Sequence, residues 1–127
     1  MSDAVIDASA VLATIKNEPG GDRSGDTARG ARISAVNYCE IVGWLAERGA
    51  TPGDVEKVVA PFGLLIEQFD RARAMCAGLL AAKTRRRNIS LGDRACLALA
   101  AELRLPVVTG DRAWRDLDLG IEIRLIR

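Results

Sequence analysis

The 127-residue chain contains no histidine. Ser-His-Asp and Cys-His catalysis are therefore excluded. So are a two-histidine ribonuclease mechanism and any zinc site that needs imidazole. Aromatic residues make up 4% of the chain, and Tyr38, Trp44, Phe62, Phe69 and Trp114 are scattered along it. They form no stacking platform for single-stranded RNA, and each is expected in core or interface packing. No uncharged apolar run approaches the ~20 residues needed to cross a bilayer. The opening Met1-Ser2-Asp3-Ala4 has neither a basic segment nor a long apolar stretch, so no secretory signal and no membrane association are expected. Net charge is +1, which argues against a protein held to nucleic acid by bulk charge alone. Three cysteines, Cys39, Cys76 and Cys96, are too few and too widely spaced for a disulfide framework. They read as buried thiols in a reducing cytoplasm.

What is present is ordinary globular composition, 49% hydrophobic and 28% charged, at a length typical of one domain. A chain of this size buries roughly two thirds of its unfolded surface and needs no disulfide. Ala4-Val5-Ile6 reads as a short buried strand delivering Asp7 at its C-terminal end, and Ser9 to Lys16 suits a helix. Residues 17–30 are polar and contain Gly20, Gly21, Gly25 and Gly30, so a mobile loop with at most a weak helical turn is expected. Arg32-Ile33-Ser34 is a short strand, and Ala35 to Arg48 is a helix ended by Gly49. Thr51-Pro52-Gly53-Asp54 supplies an N-cap, a proline at N1 and an acid at N3 for a short helix to about Ala60. After the Pro61-Phe62-Gly63 turn, Gly63 to Glu67 is a strand or extended connector. Asp70 caps a long helix through about Arg86, and Ser90 opens another over Leu91 to Arg104. Pro106 to Thr109 is a strand, Ala113 to Leu117 a helical turn, and Ile121 to Ile126 the last strand. Short apolar strands alternating with helices give an α/β fold with a parallel sheet.

Ligands of open parallel sheets bind outside the carboxyl ends of the strands. Asp7 and Asp111 sit at two such ends and share a crevice if their strands are neighbours. Each also suits the plainer role of helix N-cap. Asp93, three residues after Ser90, is either the acid of a capping box or a carboxylate placed at the same rim, with Gly92 allowing another group to approach closely. Glu40 has Val36, Gly43, Trp44 and Glu47 as helical neighbours, between apolar and polar stripes, and periodicity favours a solvated face for it. Four separated carboxylates without histidine suit a hard divalent cation, Mg²⁺ or Mn²⁺, which takes oxygen ligands. Such an ion neutralises the cluster and activates water at a phosphoryl centre.

Four segments occur in order: Val5-Ile6-Asp7-Ala8-Ser9, Ile33-Ser34-Ala35-Val36-Asn37 with Glu40 three residues on, Leu91-Gly92-Asp93-Arg94-Ala95-Cys96-Leu97-Ala98-Leu99-Ala100, and Leu105-Pro106-Val107-Val108-Thr109-Gly110-Asp111. In these the chain resembles the PIN-domain ribonucleases, and within them the VapC toxins of bacterial toxin–antitoxin modules. The resemblance implies one PIN-like domain over residues 1–127, a three-layer sandwich with a central parallel sheet flanked by helices. It implies a Mg²⁺- or Mn²⁺-dependent endoribonuclease whose acidic quartet is Asp7, Glu40, Asp93 and Asp111. Asp7 and Asp93 would be the principal metal ligands, completed by Glu40 and Asp111, with Asp116 as an auxiliary acid. Ser9 and Asn37 would support the ligands or orient substrate. It further implies a homodimer, and a small VapB-like antitoxin whose C-terminal segment lies across the site and inserts a basic side chain. Family members carry an amphipathic helix after the first helix. Residues 20–30 have little apolar surface, so no stable helix is expected there.

Arg94 and Arg112 directly follow quartet acids and would hold phosphate or pair with those acids. Lys83-Thr84-Arg85-Arg86-Arg87 is either an RNA-phosphate patch or, more simply, a solvated helix C-terminus favoured by the helix dipole. Ala74 to Ala82, with Met75, Cys76, Leu79 and Leu80, is core or a dimer surface. Two alternatives compete with the ribonuclease. A phosphoryl-transfer domain needs an acid two residues after Asp7, where Ser9 stands, and a late lysine, of which none follows Lys83. A non-catalytic domain with a metal-binding acidic pocket would bind the ion without cleaving RNA.

Overall fold

The computed structural model describes residues 3–85 and 87–127. Five parallel strands form one sheet: β1 (Val5–Ile6), β2 (Arg32–Ser34), β3 (Leu65–Glu67), β4 (Val107–Thr109) and β5 (Ile123–Leu125), in the order β3-β2-β1-β4-β5. Six helices flank it: α1 (Ala8–Ile15), α2 (Gly21–Ala28), α3 (Ala35–Ala46), α4 (Pro52–Val59), α5 (Arg71–Thr84) and α6 (Leu91–Leu103). Two short 3-10 turns lie at Ala60–Phe62 and Arg112–Asp116. This is the expected α/β sandwich with a central parallel sheet. Among the described residues no helix is long and apolar enough to cross a membrane.

Alternation along the inner strands divides the core between two faces. Ile6 and Val108 pack on one face with Val11 of α1, Ala28 of α2 and Ile41 of α3. Val5 and Val107 pack on the other with Cys96, Leu97 and Ala100 of α6 and with Trp114. Because β1 pairs directly with β4 in register, Ile6 opposite Val108, the strand order reverses between them. That reversal is the crevice where open α/β sheets bind ligands. At the β3 side of the sheet, Glu67 accepts from Arg32 at 2.6 Å and from Arg73 at 3.0 Å, and Arg73 also holds Glu102. The Arg32 hydrogen bond, joined by Arg73, keeps the Glu67 carboxyl below its usual range.

Residues 17–30 are not a loop throughout. Gly21–Ala28 is a helix, and its buried residues, Gly21, Ser24 and Ala28, fall at i, i+3 and i+7. The stripe is made of small residues, so it carries little apolar surface yet lets two backbones close together. Thr14 Oγ1 on α1 lies 2.8 Å from Ser24 Oγ and donates to the Gly21 carbonyl. Tertiary contact with α1 thus supplies what helix propensity lacks. The cysteines also depart from expectation: Cys96 is buried, but Cys39 and Cys76 are exposed. Helix α5 lies on α6 along a narrow line and buries Ala77 and Thr84, which turns Cys76 and Met75 outward. The last strand is shorter than expected, α5 ends at Thr84, and Arg86 falls outside the described residues.

A Cβ at Gly21 would lie 2.5 Å from the Ala13 carbonyl oxygen, a backbone atom that can move only with its helix. Gly21→Ala is expected to destabilise the protein by about 1–3 kcal/mol in urea unfolding, despite alanine's better helix propensity. A neutral or stabilising result would show that α1 and α2 are not closely docked.

Candidate active site

Asp7 ends β1: its N–H donates to the Val108 carbonyl at 2.9 Å, the last rung between β1 and β4. The side chain is 5% exposed. Its Oδ2 accepts from Ser9 Oγ at 2.6 Å and from Thr109 Oγ1 at 2.9 Å. The same two hydroxyls organise the neighbouring backbone, Ser9 Oγ accepting from Gly110 N–H at 2.9 Å and Thr109 Oγ1 from Asp111 N–H at 3.0 Å. Thr109 was not among the sequence candidates. The available signal was a hydroxyl at a strand end, two residues before an acid, on a strand whose every residue is buried.

Asp93 closes a capping box at the start of α6. Its Oδ2 accepts from Ser90 N–H at 2.9 Å, and its own N–H donates to Ser90 Oγ at 3.2 Å. The capping role weighed from sequence is real, and it places the carboxylate in the first turn of the helix, where the dipole favours an anion. Asp111 likewise caps the second 3-10 turn, Oδ1 accepting from Ala113 N–H at 2.9 Å.

Glu40 is exposed on α3, but it is not merely solvated. Fully buried Asn37 donates through Nδ2 to Glu40 Oε1 at 2.8 Å and to the Gly92 carbonyl at 3.0 Å, tying α3 to α6. Both partners are acceptors, so the amide can sit only with its NH₂ toward them. Asn37 Oδ1 is left buried without a partner, a cost of about 1–3 kcal/mol. A Cβ at Gly92 would lie 2.6 Å from both Glu40 carboxylate oxygens. Glycine there lets the Glu40 head group rest against α6 beside Asp93.

Burial lifts the Asp7 pKa to about 6, against the two hydroxyl hydrogen bonds that lower it, with smaller upward contributions from Asp93 and Glu40. Burial also raises the Cys96 thiol, followed by the charges of Asp7, Asp93 and Glu40. Asp7 thus feels Asp93 and Glu40, and Cys96 feels all three carboxylates. Asp111 joins them through Thr109. Among the described residues, no group of three or more His, Cys, Asp or Glu side chains could hold a metal ion as placed. The donor set nevertheless suits a hard cation. In each of the four acids the hydrogen bonds named above fall on a single oxygen: Oδ2 of Asp7, Oε1 of Glu40, Oδ2 of Asp93 and Oδ1 of Asp111. One oxygen of each serves the fold, and the other is left for a ligand.

Of the remaining predicted residues, Ser9 and Asn37 hold site acids directly. Arg94 reaches away to α5, with Nη1 3.5 Å from the Ala77 carbonyl. Arg112 is exposed and donates to the Arg127 carbonyl at 3.4 Å. Asp116 is exposed at the end of its 3-10 turn, its carbonyl accepting from Arg87.

Because the folded pKa of Asp7 is raised, its contribution to stability is fully present below about pH 4 and is lost as pH rises through 6. The ionised, metal-free carboxylate costs about 3 kcal/mol. With chelator present, the stability of Asp7→Asn relative to wild type is expected to grow by about that amount between pH 4 and pH 7.5 in urea unfolding. A pH-independent offset would show that the carboxyl is not held neutral by burial.

The PIN domain family model matches residues 4–119. A search of curated proteins returned no match. Among solved structures, the DNA-bound VapBC complex of Salmonella typhimurium is similar over 100% of both chains, with 20% identity and a TM-score of 0.74. A toxin–antitoxin complex from Klebsiella pneumoniae is similar over 98% of each chain, with 16% identity and a TM-score of 0.72. Rickettsia felis VapBC2, bound to a promoter DNA fragment, covers 94% of this chain and 96% of its own, with 14% identity and a TM-score of 0.69. With 4–119 of its 127 residues matched, the chain belongs to the PIN domain family.

Proposed function

We propose that the chain is a divalent-metal-dependent endoribonuclease, the VapC-like toxin of a toxin–antitoxin pair. The observation that carries this reading is the quartet itself. Asp7, Glu40 and Asp93 are near enough to act on one another's charge, Asp111 is linked to Asp7 through Thr109, and the hydrogen bonds of each fall on one oxygen, which supports a shared ligand. Asp7 and Asp93 are the principal ligands for Mg²⁺ or Mn²⁺, and Glu40 and Asp111 complete the set, with Asp116 as an outlying auxiliary acid. The bound ion would supply a water of lowered pKa and neutralise charge on the phosphodiester. The chain's own part is to fix the ligands. Ser9 and Thr109 hold Asp7, Asn37 holds Glu40 against α6, and Gly92 makes room for it.

The partner reading follows from the same face. A groove of about 590 Å³, lined by Ala35, Val36, Cys39, Phe69 and Leu91, opens beside Glu40. It suits the apolar part of a VapB-like antitoxin segment, with a basic side chain reaching the acids. Met75 and Leu79, one turn apart on α5 and more than 60% exposed, suit a second copy of the chain. That two of the similar structures are VapBC complexes supports an antitoxin partner.

RNA cleavage is expected with Mg²⁺ or Mn²⁺ and to cease in EDTA. Asp93→Asn keeps a capping side chain and should lose activity at least 100-fold while remaining folded. Full activity of that variant, or chelator-resistant cleavage, would end the ribonuclease reading. Metal binding without cleavage would favour a non-catalytic module. Gly92→Ala must displace the Glu40 carboxylate and is expected to weaken Mn²⁺ binding about 10- to 100-fold by calorimetry, whereas unchanged affinity would remove Glu40 from the ligand set.

A further inference from the structure

One cation at the rim of this crevice lies outside every acid motif. Beyond β5, the N–H of Ile126 donates to the Thr109 carbonyl at 3.1 Å, so the chain continues alongside β4 to the strand end where Asp7 and Asp111 sit. Arg127 follows. Its Nη1 donates to the Pro19 carbonyl at 3.3 Å and lies 3.6 Å from Glu18 Oε1. Its Nη2 lies against Gly110: a Cβ on that glycine would be 3.3 Å from Nη2 and 3.4 Å from Ser9 Oγ. Ser9 Oγ is the hydroxyl that donates to Asp7. The guanidinium is therefore separated from the buried acid by Ser9 and Gly110.

Two glycines build this placement. Gly20 has a φ of +84°, and a Cβ there would run into the Ile126 carbonyl, so the α1–α2 connection can close on the end of β5 only with glycine. Gly110 leaves the space beside Nη2. The guanidinium is about one third exposed, and its ion pair is with Glu18, not with a quartet acid. A contact of 3.6 Å to one carboxylate and a single carbonyl bond leave most of its five donors uncommitted. A partly exposed guanidinium held at the strand end that carries Asp7 and Asp111 is poorly explained as a neutralising partner, because it pairs with neither. It fits an anion that must approach those carboxylates, and its planar fork matches phosphate oxygens.

We infer that Arg127 binds a phosphate of the RNA strand and seats it at the acidic crevice, with Glu18 and Pro19 holding the guanidinium in place. The inference rests on the ribonuclease reading. The test uses the full chain carrying Asp93→Asn, so that RNA is bound without being cut, and follows binding of a labelled single-stranded RNA in Mg²⁺ across a KCl series. Adding Arg127→Gln is expected to lower affinity about tenfold and to flatten the salt slope by about 0.7, the signature of one lost phosphate contact. Arg127→Lys, which keeps the charge but not the fork, should recover part of the affinity and all of the slope. In the chain with Asp93 intact, Mn²⁺ affinity of Arg127→Gln should match wild type. Equal RNA affinity and slope with Gln would overturn the inference, as would a parallel fall in Mn²⁺ affinity, which would mark a structural role. If the parent protein binds no RNA, the ribonuclease reading itself fails and takes this inference with it.

Discussion

A carboxylate buried at the end of a core strand has to be satisfied locally, and the crevice is organised around that requirement. Asp7 is placed by the last backbone rung between β1 and β4. Satisfying one of its oxygens takes two hydroxyls, Ser9 and Thr109. Those hydroxyls in turn accept from the backbone of Gly110 and Asp111. The turn that carries the next acid is thereby hydrogen-bonded to the first. Burial of an ionisable group is unfavourable in isolation, and here the two hydroxyls offset part of that cost.

The acids of this protein do two things at once. Asp93 is the N3 acid of a capping box and Asp111 an N-cap, and the bland reading of each is correct as far as it goes. A carboxylate has two oxygens, however, and capping uses one. The helix start or turn that each acid caps is thereby oriented, and its second oxygen is held at the sheet edge. Glu40 reaches the same arrangement from mid-helix, through Asn37 and the bare backbone of Gly92. A structural role and a ligand role are compatible in such a residue, so the proposed four-acid site would not sacrifice the helix termini.

Small residues decide how closely the surrounding pieces approach. Gly21, Ser24 and Ala28 dock α2 on α1, Gly20 admits the Ile126 carbonyl, and Gly92 admits Glu40. In each case the informative quantity is the volume that is missing. Hydrophobic periodicity does not register that quantity, so residues 17–30 read as a loop although Gly21–Ala28 within them form a helix with a buried stripe.

Strand order, every helix but α2, the parallel sheet and the capping boxes at Thr51 and Ser90 were legible from the residues, because alternating apolar runs and cap residues act over a few positions. The acids Asp7, Asp93 and Asp111 were visible for the same reason, standing at strand ends and helix starts. Tertiary structure decided the rest. It brought Glu40 from an ambiguous helix edge to the α6 terminus, recruited Thr109, and carried Arg127 to Gly110 from the far end of the chain. It also left Cys39 of α3 at the surface and turned Cys76 outward, the latter because α5 touches its neighbour along one narrow line. Local sequence determines which conformations a segment prefers; which groups meet across about a hundred residues depends on strand order and close packing, which no local pattern encodes.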